Sequence, residues 1–215
     1  METAAHPRFL FKPRTFGMMF VTLTSSASLR TGVVKTFRWA TQVSQMETAL
    51  DAATQHLFTS VVGRTLTGLS RDQYSFNGEP SAEDAGSLQL DFGTTLVTLK
   101  LRSDGESVTA DTTAIELTPA FSLDDDSHCS WEIVDMLDSE PWSQLRGLTL
   151  RSVDAVVDVW QKHDSRYVSG WFLTFDGHHL CYMNWGDNAR IMIDEPFPMA
   201  DHDEVQTSRL SIAHV

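Results

Sequence analysis

Gly63-Arg-Thr-Leu66 recurs as Gly147-Leu-Thr-Leu150, and the reading of the fold turns on that recurrence. The first motif is followed by Leu90-Asp-Phe92, a Gly93-Thr94 turn and Leu96. The second is followed by Leu173-Thr-Phe175, an Asp176-Gly177 turn and Leu180, and Asp104 and Asp187 then fall in corresponding turns. Around both motifs the apolar period is two. Leu88, Leu90 and Phe92 alternate with Ser87, Gln89 and Asp91, the pattern of a half-buried strand. Gly170–Asp187 (GWFLTFDGHHLCYMNWGD) reads as two strands about Asp176-Gly177, apolar on both faces and therefore at the centre of a sheet.

Working outward, Ser44 and Glu47 have capping-box spacing, and Leu50, Ala53, Leu57 and Val61 form one helical stripe that Gly63 ends. A helix is expected over about 45–60. A shorter one is expected over 139–146, with Ser139 as its cap and Pro141 in its first turn. Short strands are read at 65–69, 95–101, 107–110 and 114–117, with a turn at Asn77-Gly78-Glu79-Pro80. The expected class is α+β, mostly β, with one or two antiparallel meander sheets built from an internally duplicated helix-plus-meander unit. The segments are a basic N-terminal stretch (1–44), a first unit (45–117), an acidic linker (118–138), a second unit (139–195) and a frayed polar tail (196–215).

Composition narrows the partners. A hydrophobic share of 41%, with 6 Trp and 12 Phe, is a folding composition. With 16 Lys and Arg against 29 Asp and Glu, the net charge of -13 argues against nucleic acid, whose phosphates need cations, and against anionic membranes. No stretch approaches the ~20 apolar residues of a membrane-spanning helix. Two cysteines, Cys129 and Cys181, are too few for a disulfide framework and fit a cytoplasmic protein with reduced thiols. Residues 1–44 are different in kind, carrying Arg8, Lys12, Arg14, Arg30, Lys35 and Arg38 against Glu2. They read as a leader, as an extra strand (Thr31–Trp39), or as sequence upstream of an internal start at Met18, Met19 or Met46.

The chain has no nucleophile elbow, phosphate loop, dinucleotide fingerprint or HExxH motif. His179 and Cys181 share a strand face and, with His128 and Cys129, are the best candidates for zinc ligands. The paired CxxC spacing of structural zinc is missing, so His178 and His179 read as a hairpin tip, Cys181 as core, and no metal or cofactor is expected. An enzyme reading would use these histidines as bases oriented by Asp187.

The densest acidic stretch is Asp124-Asp125-Asp126, continuing through Glu132, Asp135, Asp138 and Glu140 with no Lys or Arg among them. It reads either as a solvated loop or as a docking surface for a basic protein, with Trp142 as an aromatic anchor. It does not match a Ca²⁺-binding loop. In size, charge and two-copy meander the chain resembles bacterial immunity proteins. That resemblance implies an inhibitor, not an enzyme, which neutralises a basic toxin by covering its cleft or mimicking its substrate. The contacts would be Asp124, Asp125, Asp126, Glu132, Asp135, Asp138 and Trp142. A structural or adaptor subunit is the remaining alternative.

Overall fold

Each Gly-x-Thr-Leu motif opens from the same turn. Val62 (φ -61, ψ 134) and Gly63 (φ 85) form a type II turn closed by the Arg64 N–H on the Val61 carbonyl at 3.0 Å. Arg146 (φ -59, ψ 124) and Gly147 (φ 75) repeat it, with the Leu148 N–H on the Leu145 carbonyl at 3.1 Å. Positive φ is why glycine stands at both places. The two motifs then pair with each other. Gly63 N–H donates to the Leu150 carbonyl at 2.8 Å and Gly147 N–H to that of Leu66 at 3.0 Å. Leu66 N–H donates to Leu148 and Leu150 N–H to Arg64, both at 2.9 Å, and Thr65 lies opposite Thr149. This short ladder has local two-fold symmetry, and it ties the halves of the fold together.

The computed structural model describes residues 51–81, 85–162, 165–186, 188–197 and 204–215, all within the unit Gln42–Val215. Helix α1 (Ala52–Val61) precedes β1 (Gly68–Phe76), β2 (Glu79–Pro80), β3 (Leu88–Asp91), β4 (Leu96–Leu101), β5 (Val108–Asp111), β6 (Phe121–Ser122) and β7 (His128–Asp135). A 3-10 turn (Trp142–Leu145) precedes β8 (Leu150–Trp160), β9 (Ser165–Phe175), β10 (His179–Asn184), β11 (Ala189–Ile193) and β12 (Val205–His214). All pairings are antiparallel. One sheet runs β5-β4-β3-β1-β7-β6, with β2 beside β1, and the other runs β11-β10-β9-β8-β12. In both, a four-stranded meander has the last long strand of its half added beside its first strand.

The sheets share one core. Leu69, Leu88, Leu90, Val97 and Leu99 from the first sheet join Val153, Ala155, Trp171, Leu173, Phe175, Leu180 and Tyr182 from the second. Helix α1 adds Leu57, Phe58 and Val61, with the Phe58 ring 4.5 Å from that of Trp171. Tyr182 hydroxyl crosses to the Gly86 carbonyl at 2.8 Å and Asn184 Nδ2 to that of Gly105 at 2.7 Å. The β9–β10 pair is apolar on both faces, as expected for a central hairpin. Phe172, Cys181 and Met183 form a second cluster with Val156 and Met192 on the far side.

Several expectations are corrected. Asp51, through its carboxylate on the Thr54 N–H at 2.6 Å, caps α1 at Ala52; Ser44 and Glu47 lie outside the described residues. The second helix is a single 3-10 turn without a side-chain cap, the Ser139 hydroxyl donating instead to the Met136 carbonyl. Residues 114–117 form no strand. Ile115 N–H donates to Gln89 Oε1 at 3.1 Å as the chain crosses the first sheet from β5 to β6. The acidic linker holds β6 and β7, and the polar tail holds β12, paired along β8 from Val205 with Trp160 to His214 with Ser152. These strands carry many polar residues because β6, β12 and the part of β7 beyond β6 lie at the rims of their sheets, where one edge and part of each face meet water. The counterpart of Leu180 is Val97 in place of Leu96, since Val97 faces Leu90 as Leu180 faces Leu173.

Candidate functional site

Strand β7 is paired along its full length on one side only. Against β1 the register runs from Phe76 with Cys129 to Ser70 with Asp135. On the other side β6 reaches only Cys129 and His128. The His128 carbonyl accepts from Asn77 N–H at 2.7 Å and Met136 N–H donates to the Leu69 carbonyl at 2.8 Å. Even-numbered residues therefore turn their backbone groups toward β1, and Trp131, Ile133 and Asp135 turn theirs toward the open edge. Continued, the β6 register would bring Pro119 opposite Trp131. Proline has no N–H to give, and the second rung is lost there.

The side chains at this edge are apolar on one face. Trp131 lies 5.1 Å from the Tyr74 ring and 5.8 Å from that of Phe121. Beside them Phe76 is 42%, Phe121 45%, Leu123 65% and Ile133 52% exposed. So many half-exposed large side chains in one place exceed the scattered apolar residues of an ordinary surface. Tyr74 Oη contacts Cys129 Sγ at 3.3 Å, and that hydrogen bond raises the tyrosine pKa.

The acidic residues read from the sequence line this edge without forming a cluster. Asp124, Asp125 and Asp126 sit exposed in the β6–β7 turn. Bonds from the Ser127 hydroxyl and the Asp126 N–H (3.0 Å) hold Asp124 below the ordinary carboxylate range. Glu132 is exposed mid-strand on the face opposite Trp131 and Ile133. Asp135, at the far end of β7, accepts from Leu137 N–H at 2.9 Å, and Asp138 pairs with Arg146 at 2.7 Å. At ~3.3 Å per residue the line is more than 20 Å long. Trp142 is not on this surface. It is half-buried in a cleft of about 370 Å³ between β7 and β11, with Val134, Met136 and Ile191. That cleft is the counterpart of the place α1 fills beside β12 and β5 on the other side of the core. Four residues of 3-10 turn fill it less completely than ten of α-helix.

Sequence reasoning missed Phe121, Trp131 and Ile133, because the acidic run made 118–138 look like a loop. The alternation of Cys129, Trp131 and Ile133 with Ser130, Glu132 and Val134 was the available strand signal.

The residues of the metal and enzyme alternatives are not brought together. His128 and Cys129 are in the first sheet and His178, His179 and Cys181 in the second. His178 Nδ1 meets Asp194 at 2.7 Å, and His179 Nε2 lies 2.7 Å from the Glu195 carbonyl. Burial pushes the Cys181 thiol up to about 12. Asp187 lies outside the described residues. Among the described residues no three His, Cys, Asp or Glu side chains converge on a metal position, and no helix is long and apolar enough to cross a membrane. No protein-family model matches the chain, and comparisons with curated proteins and with solved structures return no match.

Proposed function

We propose that this chain is an acidic binding protein that captures and neutralises a basic protein partner, in the manner of bacterial immunity proteins, with the β6–β7 region as its docking edge. The observation that carries the reading is the coincidence, along β7 and the residues flanking it, of an open backbone edge, exposed apolar side chains and a line of carboxylates. Residues 118–141 contain no Lys or Arg, and of that line Asp138 alone has a cationic partner among the described residues, Arg146. Charge of this kind steers association and selects the partner, while the apolar side chains supply contact area. The enzyme alternative has less support, because His178 and His179 are held by Asp194 and Glu195 and Cys181 is buried. A cytoplasmic location fits the two unpaired thiols. An internal duplication is supported by the shared strand order and by the mutual pairing of the Gly-x-Thr-Leu motifs.

The test is retention on the immobilised chain, in parallel with a variant carrying Asp124→Lys, Asp125→Lys and Asp126→Lys. A basic protein held stoichiometrically, released by rising salt, inhibited by the wild type and lost on the variant supports the reading. An empty column, or a partner held equally by both, sinks it.

A further inference from the structure

We infer that β7 takes up an extended segment of the partner as an added strand, in line with β6 and antiparallel to β7, and that this segment sets apolar side chains opposite Trp131 and Ile133 and Lys or Arg opposite Glu132 and Asp135. The inference rests on the docking reading above and specifies its geometry. The N–H and C=O groups of Trp131, Ile133 and Asp135 face outward where β6 stops, and among the described residues no strand pairs with them. Protein edges that must not be extended are blunted by a bulge, an inward charge or a lysine. Strand β12, the corresponding strand of the other sheet, has such devices: a register shift between Ser211 and Ala213, and Arg209 paired with Asp154. Strand β7 pairs with β1 over seven consecutive positions without a shift, and no cation lies on it.

The side chains specify the guest. Cross-strand neighbours share a face, so positions opposite Trp131 and Ile133 lie on the apolar face with Phe121. Positions opposite Glu132 and Asp135 meet carboxylates. Read from the guest's N-terminus in the antiparallel direction of β6, a basic–any–apolar–basic–apolar order satisfies all five positions from Asp135 to Trp131, and a strand with acidic residues at its first and fourth positions places like charges opposite each other. Main-chain bonds then supply affinity, and the alternating side chains supply specificity, as in other strand-addition complexes.

The experiment uses the full chain and three synthetic peptides. One carries valine at the apolar and lysine at the basic positions in this order, one replaces lysine by glutamate, and one keeps lysine but is N-methylated at alternate residues so that it cannot pair. The lysine peptide is expected to bind and to slow amide exchange at Trp131, Ile133 and Asp135. The other two should bind roughly tenfold or more weakly. Ile133→Lys, at an exposed position, should abolish binding without lowering the thermal midpoint. Equal binding of the methylated peptide, or unchanged exchange at these amides, overturns strand addition and leaves acidic docking standing. Equal binding of the glutamate peptide overturns the charge-based reading itself. Absence of binding, or a dimer of this chain joined through β7, also overturns the inference.

Discussion

At the scale of single residues, burial sets Cys181 apart from the reactive role that sequence alone had allowed it. Cys181 alternates with Leu180 and Tyr182 on β10, and its side chain lies in the second apolar cluster with Phe172 and Met183. The alternation of the hairpin made that placement legible. Burial raises the thiol from 9.0 to about 12, so thiolate at mildly alkaline pH falls on the order of a thousandfold. Brief alkylation of the folded chain should therefore leave Cys181 unmodified, and peptide mapping after urea should find it newly reactive. Rapid labelling of Cys181 in the folded state is the contrary result. The positions of Tyr74 and Trp131 were not legible, because they meet across strands distant in sequence.

At the scale of elements, side chains in the turns help to hold the register of the strands they join. Asp104 shows how. Its carboxylate accepts from the backbone N–H groups of Glu106 and Ser107, each at 2.9 Å, and from the Ser107 hydroxyl, pinning the β4–β5 hairpin. Burial alone would raise its pKa, but these bonds outweigh it and hold the group below its ordinary 3.8. A depressed folded pKa stabilises above the unfolded value, and the contribution disappears as pH falls through the folded one. Asp104→Asn should then lower the urea midpoint at neutral pH, and the gap to wild type should narrow as pH drops below that ordinary value. A gap that is constant with pH contradicts the assignment. The glycine turns and central strands were legible because each rule is local: positive φ, period two, apolar on both faces. The limits of α1, and the strands at 128–135 and 205–214, were not. An edge strand is defined by a neighbour, and its polar composition imitates a loop.

At the scale of the whole molecule, the two halves are joined through one core and one ladder, so they should behave as a single cooperative unit. Phe58 of α1 packs on Trp171 of the second sheet, Tyr182 bonds to Gly86, and the Gly-x-Thr-Leu segments hydrogen-bond to each other. The recurrence that predicted two units did not reveal that the recurring motifs pair with each other, since sequence similarity carries no information about which surfaces meet. A cavity made in either sheet therefore weakens both. Leu90 is fully buried between Leu69 and Val97, and Leu90→Ala removes about 2–5 kcal/mol. If folding is one transition, native-state hydrogen exchange should show that loss equally in the amides of β3 and in Trp171–Phe175 of β9, on the opposite sheet. Loss confined to β1–β5, with β9 protection unchanged, would mean two independently folding sheets and a ladder that does not couple them.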